Sequence, residues 1–349
     1  MSTHSSDSLG VSARVARQAS PSARASGRWL RRIAVTLLII TGLLTFGYAG
    51  ISSYIATKLV YTPQVAASDT PGHYGLTYSE ITFPARGDHV LLKGWVIPGV
   101  LPNGHLTDDR IIVMVHGTRT NRADPAAGVL ELSLWFARQG FAVLSFDMRG
   151  MGQSPPAPLS LGYFEQRDVL GAVDFIRSGP WPYPELGRPR VIGGWGVSMG
   201  AATLLLAAAQ EPAIRAVVSD CAYADIIPIL EREIPHQGGV PGLFTPGALV
   251  AAQAIYGMNF YAARPVDVIA RIAPRPILLI HGSADNYIPP ANMGELYAAA
   301  SAAPNAHVQQ WLVSGAMHAQ SYHTLGAVYV VRVIDFFNTT LGPDQSGAR

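Results

Sequence analysis

A single cysteine, Cys221, stands among 349 residues, so the chain holds no disulfide framework and no Cys-based metal cluster. Charge is scarce too, at 14% Asp, Glu, Lys and Arg with a formal net of +2. Even that small net is unevenly placed. Arg14, Arg17, Arg24, Arg28, Arg31 and Arg32 face one acid, Asp7, within residues 1–32, a local +5 that leaves about −3 for the rest (+2 minus +5). A domain so balanced gives no reason to expect nucleic-acid binding. No Gly-x-Gly-x-x-Gly follows a strand pattern, and no His/Asp/Glu cluster has metal-ligand spacing, so neither a dinucleotide nor a metal is expected as cofactor. There is no internal repeat, and compositional bias is confined to the amino-terminal tail.

Hydrophobic residues are abundant, at 49% of the chain, enough for one large α/β domain with an appendage. Residues 1–32 read as a disordered, basic, cytoplasmic tail. Residues 33–57, IAVTLLIITGLLTFGYAGISSYIAT, are uncharged throughout. At about 1.5 Å per residue this run spans a roughly 30 Å hydrocarbon layer, and it reads as one transmembrane anchor. The alternative is a cleaved signal peptide, whose apolar region usually runs about 7–15 residues to an A-x-A-like site. No convincing site of that kind follows here. The preceding arginines predict a single-pass protein of the cell membrane, its amino terminus cytoplasmic and its domain on the extracytoplasmic side. Residues 58–78, with Pro63 and Pro71, are a connector, 79–340 the folded domain, and 341–349 a flexible tail.

Within the domain, an antiparallel pair of strands at Ser79 to Phe83 and Val90 to Ile97 precedes alternating strands and helices. Strands are expected at Ile111 to Val115, Phe141 to Phe146, from Val191, at Ala213 to Val218, at Pro276 to Ile280 and at His307 to Val313. Helices are expected at Ala126 to Gln139, Phe164 to Arg177, after Ser198 and at Ala319 to Asn338. This alternation predicts an α/β fold, a mostly parallel, doubly wound sheet covered on both faces.

The chain is organised around VIGGWGVSMGA, residues 191–201. A short apolar strand runs into Gly196-Val197-Ser198-Met199-Gly200 and then into a helix-forming segment, which would hold Ser198 on a sharp elbow with its Oγ exposed. A serine hydroxyl needs a base to take its proton, and the base needs an orienting group. Asp285 follows the Pro276 strand and His318 follows the last strand, so all three lie where parallel strands end. An oxyanion needs two fixed donors, and the backbone N–H groups of Met199 and Thr118 are the candidates. His116 and His281 read as structural, Asp147 and Arg149 as a loop-stabilising pair, and Asp220 as a reserve acid. Glu231 and Glu233 are candidate acceptors for a substrate ammonium, with solvated surface charge as the plainer reading.

HGTRTN at 116, DMRGMGQS at 147, GWGVSMGA at 194, HGSADNYIPP at 281 and GAMHAQSY at 315 together resemble the α/β-hydrolase superfamily, in its order and over roughly residues 78–340. The likeness is greatest to bacterial membrane-anchored serine hydrolases related to esterases and prolyl-oligopeptidase-like enzymes. It implies Ser198 as nucleophile, Asp285 as orienting acid, His318 as base and the 116–118 loop as half of the oxyanion hole. A cap insert is expected at about 221–274, of which 234–263 carries no Asp, Glu, Lys or Arg. Leu243, Phe244, Tyr256, Met258 and Phe260 are its candidate pocket residues. A second membrane span there would part Ser198 from its partners across the bilayer. The expected activity is cleavage of an ester or thioester with an apolar acyl group, through an acyl-serine, on a small-molecule or lipid-like substrate. A peptidase or aminopeptidase of the same fold, or a catalytically silent binding module, are the alternatives.

Overall fold

A computed structural model of the chain describes residues 21–342. The first helix, α1, runs over Pro21–Val60. It therefore begins well before the uncharged run and takes in part of the segment expected to be a disordered tail; residues 1–20 lie outside the described part. Pro21 suits a first helical turn, and Ala, Ser and Arg then carry the helix into the apolar stretch. The residues up to Gly50 form a unit of their own, in which Leu37, Leu38, Leu43, Leu44 and Phe46 are exposed. By length and composition this helix can cross a membrane.

Residues from Ile51 onward form the second unit. Its strands are β1 (Ser79–Pro84), β2 (Leu91–Ile97), β3 (Gly99–Val100), β4 (Leu106–Thr107), β5 (Arg110–Val115), β6 (Ala142–Phe146), β7 (Val191–Val197), β8 (Ile214–Asp220), β9 (Ile277–Gly282) and β10 (Val308–Val313). Eight of them make one sheet in the order β1-β2-β6-β5-β7-β8-β9-β10, while β3 and β4 pair with each other. Within the eight-stranded sheet the contacts of β2 with β1 and β6 are antiparallel and the rest parallel, and the separate β3–β4 pair is antiparallel. The sheet is thus mostly parallel, as the alternating pattern predicts.

The helices after α1 are α2 (Val129–Arg138), α3 (Gln166–Ser178), α4 (Met199–Ala208), α5 (Ile227–Gly238), α6 (Thr245–Tyr256), α7 (Ala291–Ser301), α8 (Ser321–Leu325) and α9 (Ala327–Thr340). Side-chain alternation along each strand assigns them to faces. Ile111, Val113 and Val115 of β5 share one buried cluster with residues of α3, α4, α5, α6 and α7, whereas Ile112 and Met114 share another with α2 and α9. Both faces being covered explains why β5, β6 and β9 are apolar apart from Arg110, Ser145 and His281. The single closing helix expected from Ala319 is two helices, because Gly326 breaks it at φ 52° and ψ −122°. Likewise α2 starts at Val129 rather than Ala126, behind Pro125 and a left-handed Gly128. Leu341, expected in the flexible tail, is fully buried and donates its N–H to the Phe337 carbonyl at 2.8 Å; residues 343–349 lie outside the described part.

Between β8 and β9 the insert folds as α5, α6 and short 3₁₀ turns. Strand order reverses around β5: β6 lies on one side of it and β7 on the other. A crevice opens at such a point, outside the carboxyl ends of the strands, and the residues after β5 and β7 stand there.

Candidate active site

Ser198 alone makes the turn between β7 and α4, at φ 56° and ψ −124°. A non-glycine residue in such a conformation stores roughly 1–3 kcal/mol of strain, so its surroundings must hold it there. Its N–H donates to the Asp220 carbonyl at 2.9 Å. A Cβ on Gly196 would come within 2.7 Å of the Gly200 carbonyl oxygen, and one on Gly200 within 2.2 Å of the carbonyl oxygens of Val115 and His116. Only glycine lets strand and helix approach this closely. The serine Oγ makes no cap bond to its own helix and is free to turn outward.

There it meets His318. Ser198 Oγ lies 2.8 Å from His318 Nε2, and His318 Nδ1 lies 2.8 Å from Asp285 Oδ2. The other oxygen, Asp285 Oδ1, accepts from the N–H groups of Tyr287 at 3.0 Å and Ile288 at 2.8 Å. An ionised carboxylate accepts only, which places the imidazole proton on Nδ1 and leaves Nε2 to accept from the serine. Burial works to raise the Asp285 pKa, but hydrogen bonds from His281 and His318 outweigh it and hold the carboxyl well below its usual range. A lowered acid of this kind stabilises the fold above the ordinary carboxylate pKa of 3.8, and that contribution fades as pH falls through its own lower value.

The two donor candidates flank the serine. Met199 is the first residue of α4, where an N–H has no partner within the helix. The His116-Gly117-Thr118 loop backs onto the elbow, since a Cβ on Gly117 would stand 3.6 Å from the Ser198 Cβ, and Thr118 Oγ1 donates to Met199 Sδ at 3.2 Å.

The remaining polar residues have other partners. His116 is fully buried, with Nδ1 against the Gly117 carbonyl at 2.7 Å and Nε2 accepting from Met148 N–H at 3.0 Å; burial lowers its pKa. His281 Nε2 donates to the Ile288 carbonyl at 2.8 Å and lies 3.3 Å from Asp285 Oδ2, so it braces the acid. His323 sits in α8 with Nε2 on the Pro125 carbonyl at 2.9 Å. Asp147 and Arg149 are not a pair. Asp147 binds Arg122 at 2.9 Å, while Arg149 binds Asp168 at 2.6 Å and Asp88 at 2.7 Å. Asp220 does not reach the imidazole but accepts from Ser321 and Tyr329, each at 2.9 Å, which ties down the chain just beyond His318. Cys221 Sγ shares a 4.8 Å neighbourhood with ligand atoms of Asp285 and His318. Burial drives its thiol pKa well up.

A cavity of about 280 Å³ lies beside this constellation, bordered by Thr118 of the elbow's companion loop and by Tyr287, whose ring centroid is 5.0 Å from that of His318. Its apolar wall is Leu159, Leu161, Ile226, Ile229, Leu230 and Ile234. None of Leu243, Phe244, Tyr256, Met258 or Phe260 borders it. Met258 and Phe260 are instead fully buried in the core cluster, Leu243 is exposed, and Tyr256 donates its hydroxyl to Thr57 Oγ1 at 3.1 Å. The insert does face the cavity, but through α5, whose apolar residues repeat every three to four positions. That spacing was the available signal. Glu233 is at the cavity, with Arg232 Nε 2.8 Å from its carboxylate, whereas Glu231 is exposed on α5.

The sequence profile of the alpha/beta hydrolase fold matches residues 110–238, from β5 to the end of α5. The uncharacterized protein YfhR of Escherichia coli (strain K12) is 28% identical over 271 residues, 76% of this chain and 82% of that protein. Among solved structures, an esterase of Pyrococcus furiosus superposes with a TM-score of 0.65 at 22% identity, covering 81% of this chain and 99% of its own. An acylaminoacyl peptidase of Pyrococcus horikoshii superposes at 0.57 with 18% identity, over 80% of this chain and 45% of its own. The chain has the α/β-hydrolase fold.

Proposed function

We propose that the protein is a serine hydrolase that cleaves esters of an apolar acyl group. The observation that carries this reading is the unbroken chain from Ser198 Oγ through His318 to Asp285 on a strained elbow. In the proposed cycle His318 Nε2 takes the serine proton as Oγ attacks the acyl carbon, while Asp285 holds the imidazolium that forms. The N–H groups of Met199 and Thr118 face the oxyanion. His318 then returns the proton to the leaving oxygen, and water, activated by the same histidine, releases the acid from the acyl-serine.

The apolar cavity wall favours an acyl ester over a peptide. Purified protein is expected to hydrolyse p-nitrophenyl acyl esters with a kcat/KM at least about tenfold above that for aminoacyl-p-nitroanilides, a difference near 1.4 kcal/mol. The peptidase reading keeps one specific observation in its favour, the Glu233 carboxylate at the cavity. A strong anilide preference that collapses in Glu233→Gln would replace the ester reading with that one.

We further propose that α1 is a membrane anchor with its basic end in the cytoplasm, supported by the exposed apolar residues between Leu37 and Phe46 and by Arg28, Arg31 and Arg32 before them. Protease added to intact spheroplasts should digest the domain and spare an amino-terminal tag. A protected domain would reverse the orientation, and release into the soluble fraction would mean that the segment is cleaved.

A further inference from the structure

The last three turns of α1, from Ile51 to Val60, belong to the second unit, and their burial is one-sided. Ser52, Ile55, Ala56 and Val60 are buried at helical spacing, while Ile51, Tyr54 and Thr57 are exposed. This segment and its continuation are bonded to the loops that carry the candidate site. Leu159 N–H donates to the Val60 carbonyl at 2.9 Å, Arg119 Nη2 to the Leu59 carbonyl at 3.3 Å, Thr62 Oγ1 to the Gly150 carbonyl at 2.8 Å, and Asn121 Nδ2 to the Val65 carbonyl at 3.0 Å. Ile55, Lys58 and Leu59 border the 280 Å³ cavity together with Thr118 and the apolar residues of α5.

We propose that the end of α1 is a wall of the acyl site, and that Ile55 and Leu59 determine which acyl chains fit. The inference rests on the reading of Ser198 as the nucleophile of an acyl-ester hydrolase. The cavity is slightly smaller than the roughly 300–1,000 Å³ of pockets that enclose drug-sized ligands, which matches one short to medium acyl chain. A helix that serves as cavity wall cannot be removed at the end of its uncharged run, Thr57, without opening the site, since Lys58 and Leu59 would then begin a free chain end. The end of α1 from Ile51 is therefore part of the substrate site, and the substrate class is the ester of one short to medium acyl chain.

The test uses the full-length protein in detergent with p-nitrophenyl acetate, butyrate, hexanoate, octanoate and decanoate, with active sites counted by fluorophosphonate labelling. Ile55→Phe and Leu59→Phe should each lower kcat/KM for octanoate relative to acetate by about tenfold or more, the equivalent of 1.4 kcal/mol. Ile51→Phe, on the exposed face one turn earlier, should keep the wild-type profile. A second measurement needs no larger side chain to be tolerated during folding. Leu59→Cys, treated with butyl methanethiosulfonate, should lose octanoate turnover while keeping acetate turnover, and octanoate should protect it; the native Cys221 is buried from the reagent. Unchanged chain-length profiles in the Phe variants and in the Cys variant carrying the butyl disulfide, with labelling intact, would overturn the wall. A wild-type protein that labels at Ser198 yet turns over no ester would instead overturn the acyl-ester reading and the wall with it.

Discussion

Ser198→Ala is expected to lower kcat for the best acyl ester by at least about 10⁴-fold, leaving what the oxyanion donors and binding alone supply. Removing one Oγ deletes a 2.8 Å hydrogen bond to a histidine that stays anchored by Asp285, so the fold should survive. The elbow itself is held by the Ser198 N–H bond to Asp220 and by the close approach of Gly196 and Gly200, none of which involves the hydroxyl. Circular dichroism and the urea midpoint should therefore match wild type to within about 1 kcal/mol, the net worth of a single hydrogen bond. A folded Ser198→Ala protein that retains ester turnover would remove the serine from the mechanism.

His318→Ala should cost about 10³-fold or more, because the serine keeps its oxyanion donors but loses the group that takes its proton. His323→Ala should stay within about tenfold of wild type. The two histidines have different partners. His318 precedes α8 and bridges Ser198 and Asp285, whereas His323 lies within α8 and hydrogen-bonds the Pro125 carbonyl in front of α2. Loss of that one bond is worth about 0.5–1.5 kcal/mol of stability and no step of the reaction. Kinetics of the two folded variants on the same ester check the ranking, and the reverse order would move the base to His323.

The fold was legible in the sequence where physics is local. Strands and helices alternate along the chain from Ile111 onward, and that alternation alone predicts a mostly parallel sheet covered on both faces. The elbow was legible because Gly196 and Gly200 sit where a Cβ would strike backbone. Partners were harder to read. Arg149 reaches across 19 residues to Asp168 and 61 to Asp88, and nothing near Asp147 in the chain reveals that Arg122 is its counterion. The cavity was misplaced for a related reason. Met258 and Phe260 are large and apolar, and composition alone does not tell a core residue from a pocket residue. The contribution of Ile55 and Leu59 was hidden most completely, since they sit in and just beyond a run that reads as a membrane span and carries no sign of a second role.

Active-site labelling tests the nucleophilicity of Ser198 most directly. Purified full-length protein is treated with a fluorophosphonate, digested and mapped by mass spectrometry. The expected result is one phosphonylated residue, Ser198, with labelling abolished in Ser198→Ala and slowed in His318→Ala. Folded wild-type protein that takes up no label, or takes it elsewhere than Ser198, would contradict the hydrolase reading and favour a hydrolase fold retained for binding alone.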